Sequence, residues 1–223
     1  MNFLGYVAGA VVLSLVLRAL KRKSAAFTAP SRIHLFPATA GGQHAKDLIA
    51  RKRDLDACGL KRIGAYRIDP LNVLATAFTN EPEAICCVVY HHSMVGCFVD
   101  MVVKNTAGKT FTATNAPSGG ALDQREGHEK VFDKALTIPA LFDLCKTRRP
   151  EGPYETWNAE TFAGKFETAY AEEMAWRKSR GGVTRAEVKR QGNEDGKQYS
   201  EEVIDEATRQ MQERFAESHR EKR

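Results

Sequence analysis

RIGAYRIDPLNVLATAFTNEPEAICCVVYHHSMVGCFVDMVVKNTAGKTFTATN, residues 62–115, is the stretch whose period decides the fold. Five segments in it show the two-residue alternation or the short apolar run of a strand: Arg62–Asp69, Val73–Thr79, Ala84–His92, Cys97–Asn105 and Lys109–Asn115. Turn formers separate them, at Asp69-Pro70, Asn80-Glu81-Pro82, Ser93 to Gly96 and Thr106-Ala107-Gly108. These connections are short, so the economical topology is an antiparallel meander in which each strand pairs with the next. Ala84 to Tyr90 (AICCVVY) is nearly continuous in its apolarity and reads as a central strand covered on both faces. Lys109 to Asn115 (KTFTATN) sets Thr110, Thr112 and Thr114 against Phe111 and Ala113, and reads as a half-exposed edge.

Helical periods flank this sheet. Upstream, His44 to Cys58 carries a narrow apolar stripe of Leu48, Ile49, Leu55 and Cys58, with Gly59 as its stop. Downstream, beyond a polar loop from Ala116 to Gly127, apolar residues return at helical spacing from Val131 and Phe132 through Ile138, Leu141, Phe142 and Cys145. Thr137 with Pro139 marks a helix start, and Lys146, Arg148 and Arg149 suit the negative end of its dipole before Pro150. A third helix is expected over Asn158–Lys178, with Trp157, Phe162, Phe166, Tyr170 and Met174 on one side. Thr184 with Glu187 reads as a capping box, and Ser200 caps a last helix to about Ser218 that repeats Ile204, Ala207, Met211 and Phe215.

At the N-terminus, Phe3 to Leu17 carries no charge, and the stretch reaches residue 20 if Arg18 bends its head group toward the interface. Such a helix covers about 27 Å, close to the roughly 30 Å hydrocarbon layer of a bilayer. The cations Arg18, Lys21, Arg22 and Lys23 follow the stretch rather than precede it, which disfavours a cleaved signal peptide and holds the rest of the chain in the cytoplasm. The expected fold class is therefore α+β: a single N-terminal transmembrane helix, an antiparallel sheet of about five strands with flanking helices, and a helical C-terminal extension. The divisions are an anchor with its basic stop at 1–23, a linker at 24–43, a domain at 44–150 and a charged extension at 151–223. The expected location is the inner membrane, single-pass, with the domain in the cytoplasm.

Charge follows the same division. Residues 1–150 hold 20 Lys+Arg against 12 Asp+Glu, a balance of +8, and residues 151–223 hold 13 against 16, a balance of −3. The basic part lies nearest the membrane, where each lysine or arginine close to anionic lipid contributes about 1 kcal/mol. Arg51, Lys52, Arg53, Lys61, Arg62 and Arg67 lack the aromatic context of a nucleic-acid surface and are diluted by Asp47, Asp54 and Asp56, so no nucleic-acid partner is expected. Five cysteines without scaffold spacing read as reduced thiols.

The chemistry-bearing cluster is Cys86, Cys87, His91, His92, Cys97 and Asp100, on two strands joined by one turn. Adjacent Cys86 and Cys87 point to opposite faces and cannot share a tetrahedral metal, so no metal site is expected. Cys97 with His91 or His92 is the weak catalytic candidate, with Asp100 on the opposite face from Cys97. Ser118-Gly119-Gly120 lacks the lysine of a phosphate loop, and Glu172, Glu173, Glu201, Glu202, Asp205 and Glu206 read as solvated helix faces, leaving no cofactor and no acid–base pair. The leading expectation is a membrane-tethered interaction or scaffold protein, bound to lipid through its anchor and to a protein partner or a second copy through Trp157, Phe162, Phe166, Tyr170, Met211 and Phe215. The alternatives are an enzyme using Cys97, His91 and His92, and a sensor whose sheet encloses a small ligand.

Overall fold

The computed structural model describes residues 30–219 apart from Met94, Ser118, Asp195 and Lys197. Seven strands form one sheet in chain order: β1 (His34–Pro37), β2 (Lys61–Asp69), β3 (Val73–Asn80), β4 (Ile85–His92), β5 (Gly96–Lys104), β6 (Thr110–Thr114) and β7 (His128–Phe132). The pairs from β1 to β6 are antiparallel, and β7 returns parallel to β6. The five strands read from the sequence become β2 to β6, and two more flank them. β1 lies in the stretch expected to be a linker: its four residues pair with Tyr66–Asp69, and Glu167 accepts the Leu35 N–H at 2.7 Å. β7 lies where the spacing of Val131 and Phe132 mimics a helix. With it in place β6 is interior, and its threonines are buried rather than half exposed.

The membrane-spanning part of the expected fold is corrected. Among the described residues no helix is long and apolar enough to cross a membrane. The stretch 1–23, with Arg18, Lys21, Arg22 and Lys23, lies outside the described residues. The architecture is α+β, with the seven-stranded sheet and five helices among those residues: α1 (Gly42–Ala57), α2 (Ile138–Thr147), α3 (Phe162–Ser179), α4 (Arg185–Glu194) and α5 (Glu201–Ser218).

Local chemistry sets the helix ends. Gly59, at φ +62°, closes α1 in a Schellman arrangement: its N–H reaches the Asp56 carbonyl at 2.9 Å, and the Leu60 N–H reaches Leu55 at 3.0 Å. Leu55 and Leu60 then pack in one cluster, the apolar contact that accompanies this cap. Thr137 Oγ1 accepts from the Ala140 N–H to start α2, and Ser200 Oγ accepts from the Val203 N–H to start α5. Before α4 the box is reciprocal: the Thr184 N–H donates to Glu187 Oε2 at 2.7 Å and the Glu187 N–H to Thr184 Oγ1 at 3.3 Å.

Helices cover both faces of the sheet. On one face Ile68, Ala75, Val88, Tyr90, Phe98 and Val102 meet Phe162, Phe166, Tyr170 and Met174 of α3. On the other, Phe78, Cys87, Val89, Val99 and Met101 meet Leu55 of α1 and Leu141, Phe142 and Cys145 of α2. Each fully buried side chain of this kind stabilises by about 1.5–3 kcal/mol. Helix α3 and Phe215 of α5 therefore share a core with the sheet instead of extending from it, and Gly182 (φ +88°) leaves room for the Phe215 ring, which lies 3.0 Å from where a Cβ would stand.

Candidate functional site

The α1 face brings together residues from three separate elements. His91, next to last in β4, pairs directly with Cys97, second in β5. Opposite residues on paired strands hold their Cβ atoms about 4.5–5.5 Å apart on one face. From α1, Asp47 Oδ2 lies 2.7 Å from His91 Nδ1. A carboxylate only accepts, so Nδ1–H is the donor, and in the neutral ring Nε2 carries the lone pair. One turn earlier, His44 places Nε2 2.9 Å from Thr76 Oγ1, and its ring lies 5.8 Å from that of His91.

The electrostatics of this group follow from burial and neighbours. Burial raises the Asp47 carboxyl, yet hydrogen bonds from Gln43 and His91 and the charges of His91 and Arg51 outweigh it, so Asp47 stays below the ordinary carboxylate range. His44 is lowered first by burial and then by His91 and Arg62, with Asp47 opposing, which keeps its imidazole neutral. Burial pushes the Cys97 thiol up to about 11, with Arg51 pulling it down and Asp47 adding to the rise. Cys97 is half-buried, whereas Cys86, Cys87 and Cys145 are shut from solvent, the last with its thiol pushed up to about 12, and Cys58 keeps 9% exposure beside an open cavity. Of the five thiols, Cys97 is the most accessible.

The other residues singled out by sequence go elsewhere. His92 lies on the opposite face from His91, buried, and burial lowers its imidazole before any effect of His91. Asp100 also faces away from Cys97, so the residue that orients the histidine is Asp47. The expected docking surface is corrected by burial: Trp157, Phe162, Phe166, Tyr170, Met211 and Phe215 are all buried in the chain's own clusters, with Met211 packed beside Val183, Val188 and Ile204. An amphipathic period shows that a face must be covered and leaves open what covers it.

A second polar group lies under α3 and is shut from solvent. Arg177 Nη1 donates to Glu187 Oε1 at 3.2 Å, and its Nε lies 2.7 Å from Glu173 Oε1 as a close but unaligned ion pair. Lys130, on β7, holds its ammonium 4.4 Å over the Phe132 ring, and Asp100 on β5 is buried near Lys130 and Thr114. Burial pushes Glu173 up to about 7 against the charges of Arg177, Arg125 and Lys130, and Asp100 up to about 6 against Lys130. Burial likewise brings Lys130 down to about 8, with Asp100 and Glu173 opposing. Reading Glu173 as a solvated carboxylate is thus corrected. Its signal was present: Phe166, Tyr170, Glu173 and Arg177 share one helical face.

Asp47 and His44 left a fainter trace, as polar residues at positions 44, 47 and 51 of one α1 face beside the apolar stripe. Among the described residues no three His, Cys, Asp or Glu side chains group as a metal ion requires. Compared with known proteins, the chain matches no family model, no curated protein and no solved structure.

Proposed function

We propose that the α1 face is an acyl-transfer or acyl-hydrolysis site in which Cys97 is the nucleophile, His91 the base and Asp47 the group that orients it. The observation that carries this reading is the 2.7 Å contact from Asp47 to His91 Nδ1, which leaves Nε2 as the basic nitrogen of a ring paired in register with Cys97. A thiol held at about 11 is protonated at neutral pH, so it acts with a base rather than as a standing thiolate. As Sγ bonds to the acyl carbon, Nε2 takes the thiol proton. The bond to the leaving group then breaks, and that proton passes to it. A water deprotonated by the same imidazole cleaves the thioester and restores the thiol. The alternative of a scaffold loses its main support with the burial of the aromatic residues.

Incubation with p-nitrophenyl acetate tests this, following nitrophenolate release and the mass of the protein. One acetyl group on Cys97 is expected, absent in Cys97→Ala. Its formation should slow about 100-fold or more in His91→Ala, the range for loss of a general base. Asp47→Asn should slow it less. Acetylation spread over lysines, or an undiminished rate in His91→Ala, would sink the assignment.

A further inference from the structure

We infer that the groove on the β2–β3 side of α1 binds an amphiphile with an apolar chain and an anionic end group. The groove is an open trough of about 520 Å³, within the size range of small-molecule sites, with Leu48, Leu55, Leu60 and Phe78 among its lining. Ile49 also lines it and is exposed.

Charge selects the kind of ligand. Lys52 and Asp56 also line the groove but neutralise each other at 2.6 Å. Lys61 and Arg62, on the exposed start of β2, have no acidic partner among the described residues. An apolar trough with two unspent cations at its rim fits a chain that ends in a carboxylate or a phosphate.

Calorimetric titration of the full chain carrying Cys97→Ala with decanoate, with decyl phosphate and with decyltrimethylammonium tests the groove without turnover. Saturable one-to-one binding of both anions is expected, with the cation at least tenfold weaker. The double variant Lys61→Glu, Arg62→Glu should lose at least tenfold for the anions, and its unfolding midpoint should stay near that of the parent, since both side chains are exposed. Failure of both anions to saturate, equal binding of the cation, or unchanged affinity in the double variant would overturn the inference. So would binding of an acidic amphipathic peptide in place of decanoate. If the anions bind and Cys97 does not acetylate, the thiol reading fails and the groove survives as a binding site. If Cys97 acetylates and neither anion binds, the groove inference fails by itself.

Discussion

Beneath α3, Glu173 and Arg177 keep 1% and 0% of their side chains in solvent, whereas under α1 Asp47 and His91 keep 15% and 19%. One sheet thus carries two polar groups of opposite kind. Under α3 the charged groups are enclosed and numerous, with Arg177 lying between Glu173 and Glu187, so their removal is felt as stability. Under α1 the groups are fewer and sit at the rim, where protonation and a nucleophile can be used by something from outside. Burial alone therefore does not mark a working site. The perturbed groups of the α3 face are the more conspicuous, and those of the α1 face are the ones a ligand can touch.

The sharpest way to break this comparison is Arg177→Met. It leaves Glu173 and Glu187 buried without their cation, and a loss of about 3–5 kcal/mol in denaturant unfolding is expected. Acetylation of Cys97 in the protein that remains folded should not change. A parallel loss there would show that the two faces act as one.

A smaller effect is expected from Glu173→Gln, read as the slope of stability against pH. The Glu173 carboxyl is raised to about 7 when folded, so the folded state holds a proton that the unfolded chain gives up from about pH 4.5. Its contribution is full below that range and is lost as pH rises through 7, by up to about 3 kcal/mol. Asp100, at about 6, acts with the same sign and persists in the variant. Lys130, at about 8, acts with the opposite sign, adding stability as pH rises from 8 toward 10.5. Arg177 and Arg125, the other charges facing Glu173, stay protonated throughout. Denaturant midpoints between pH 4.5 and 7.5 should therefore fall less steeply in the variant. An unaltered slope would remove Glu173 as the proton site.

The smallest expected effect is that of Ser200→Ala, which deprives the Val203 N–H of its cap and should cost about 1 kcal/mol. The thermal midpoint, together with amide exchange at Val203, measures it. The loss should stay within α5 and leave both polar groups as they are.

How much of this was legible depended on the range of the contact involved. The edges of β2 to β6 follow from alternation and turn residues, and the caps at Thr137, Thr184 and Ser200 from side chains acting within four residues. β1 has four residues, too few to show a period, and in β7 the spacing of Val131 and Phe132 from Ile138 reads as helical; both exist because neighbours in space complete their hydrogen bonds. At the α1 site, Cys97 and His91 are joined by one turn and could be named together. Asp47 is 44 residues from His91, and only the docking of α1 on the sheet makes the pair. The aromatic residues of α3 were correctly read as needing cover. Periodicity has no means of saying that the cover is the chain's own sheet.

Lys130 has a consequence of another sort. It lies on β7, last in the sheet among the described residues, where no further strand lies alongside and the Gln124 side chain takes the Lys130 N–H and C=O. Such a border invites addition of a strand from a second molecule and growth into aggregates. β7 is short, carries His128, Glu129 and Lys130 in succession, and turns the lysine inward under α3. An inward charge on a border strand is a means by which sheets resist extension, because any shift of register to suit an incoming strand must bury that charge afresh. The lysine whose desolvation strains the core thus keeps the sheet finite.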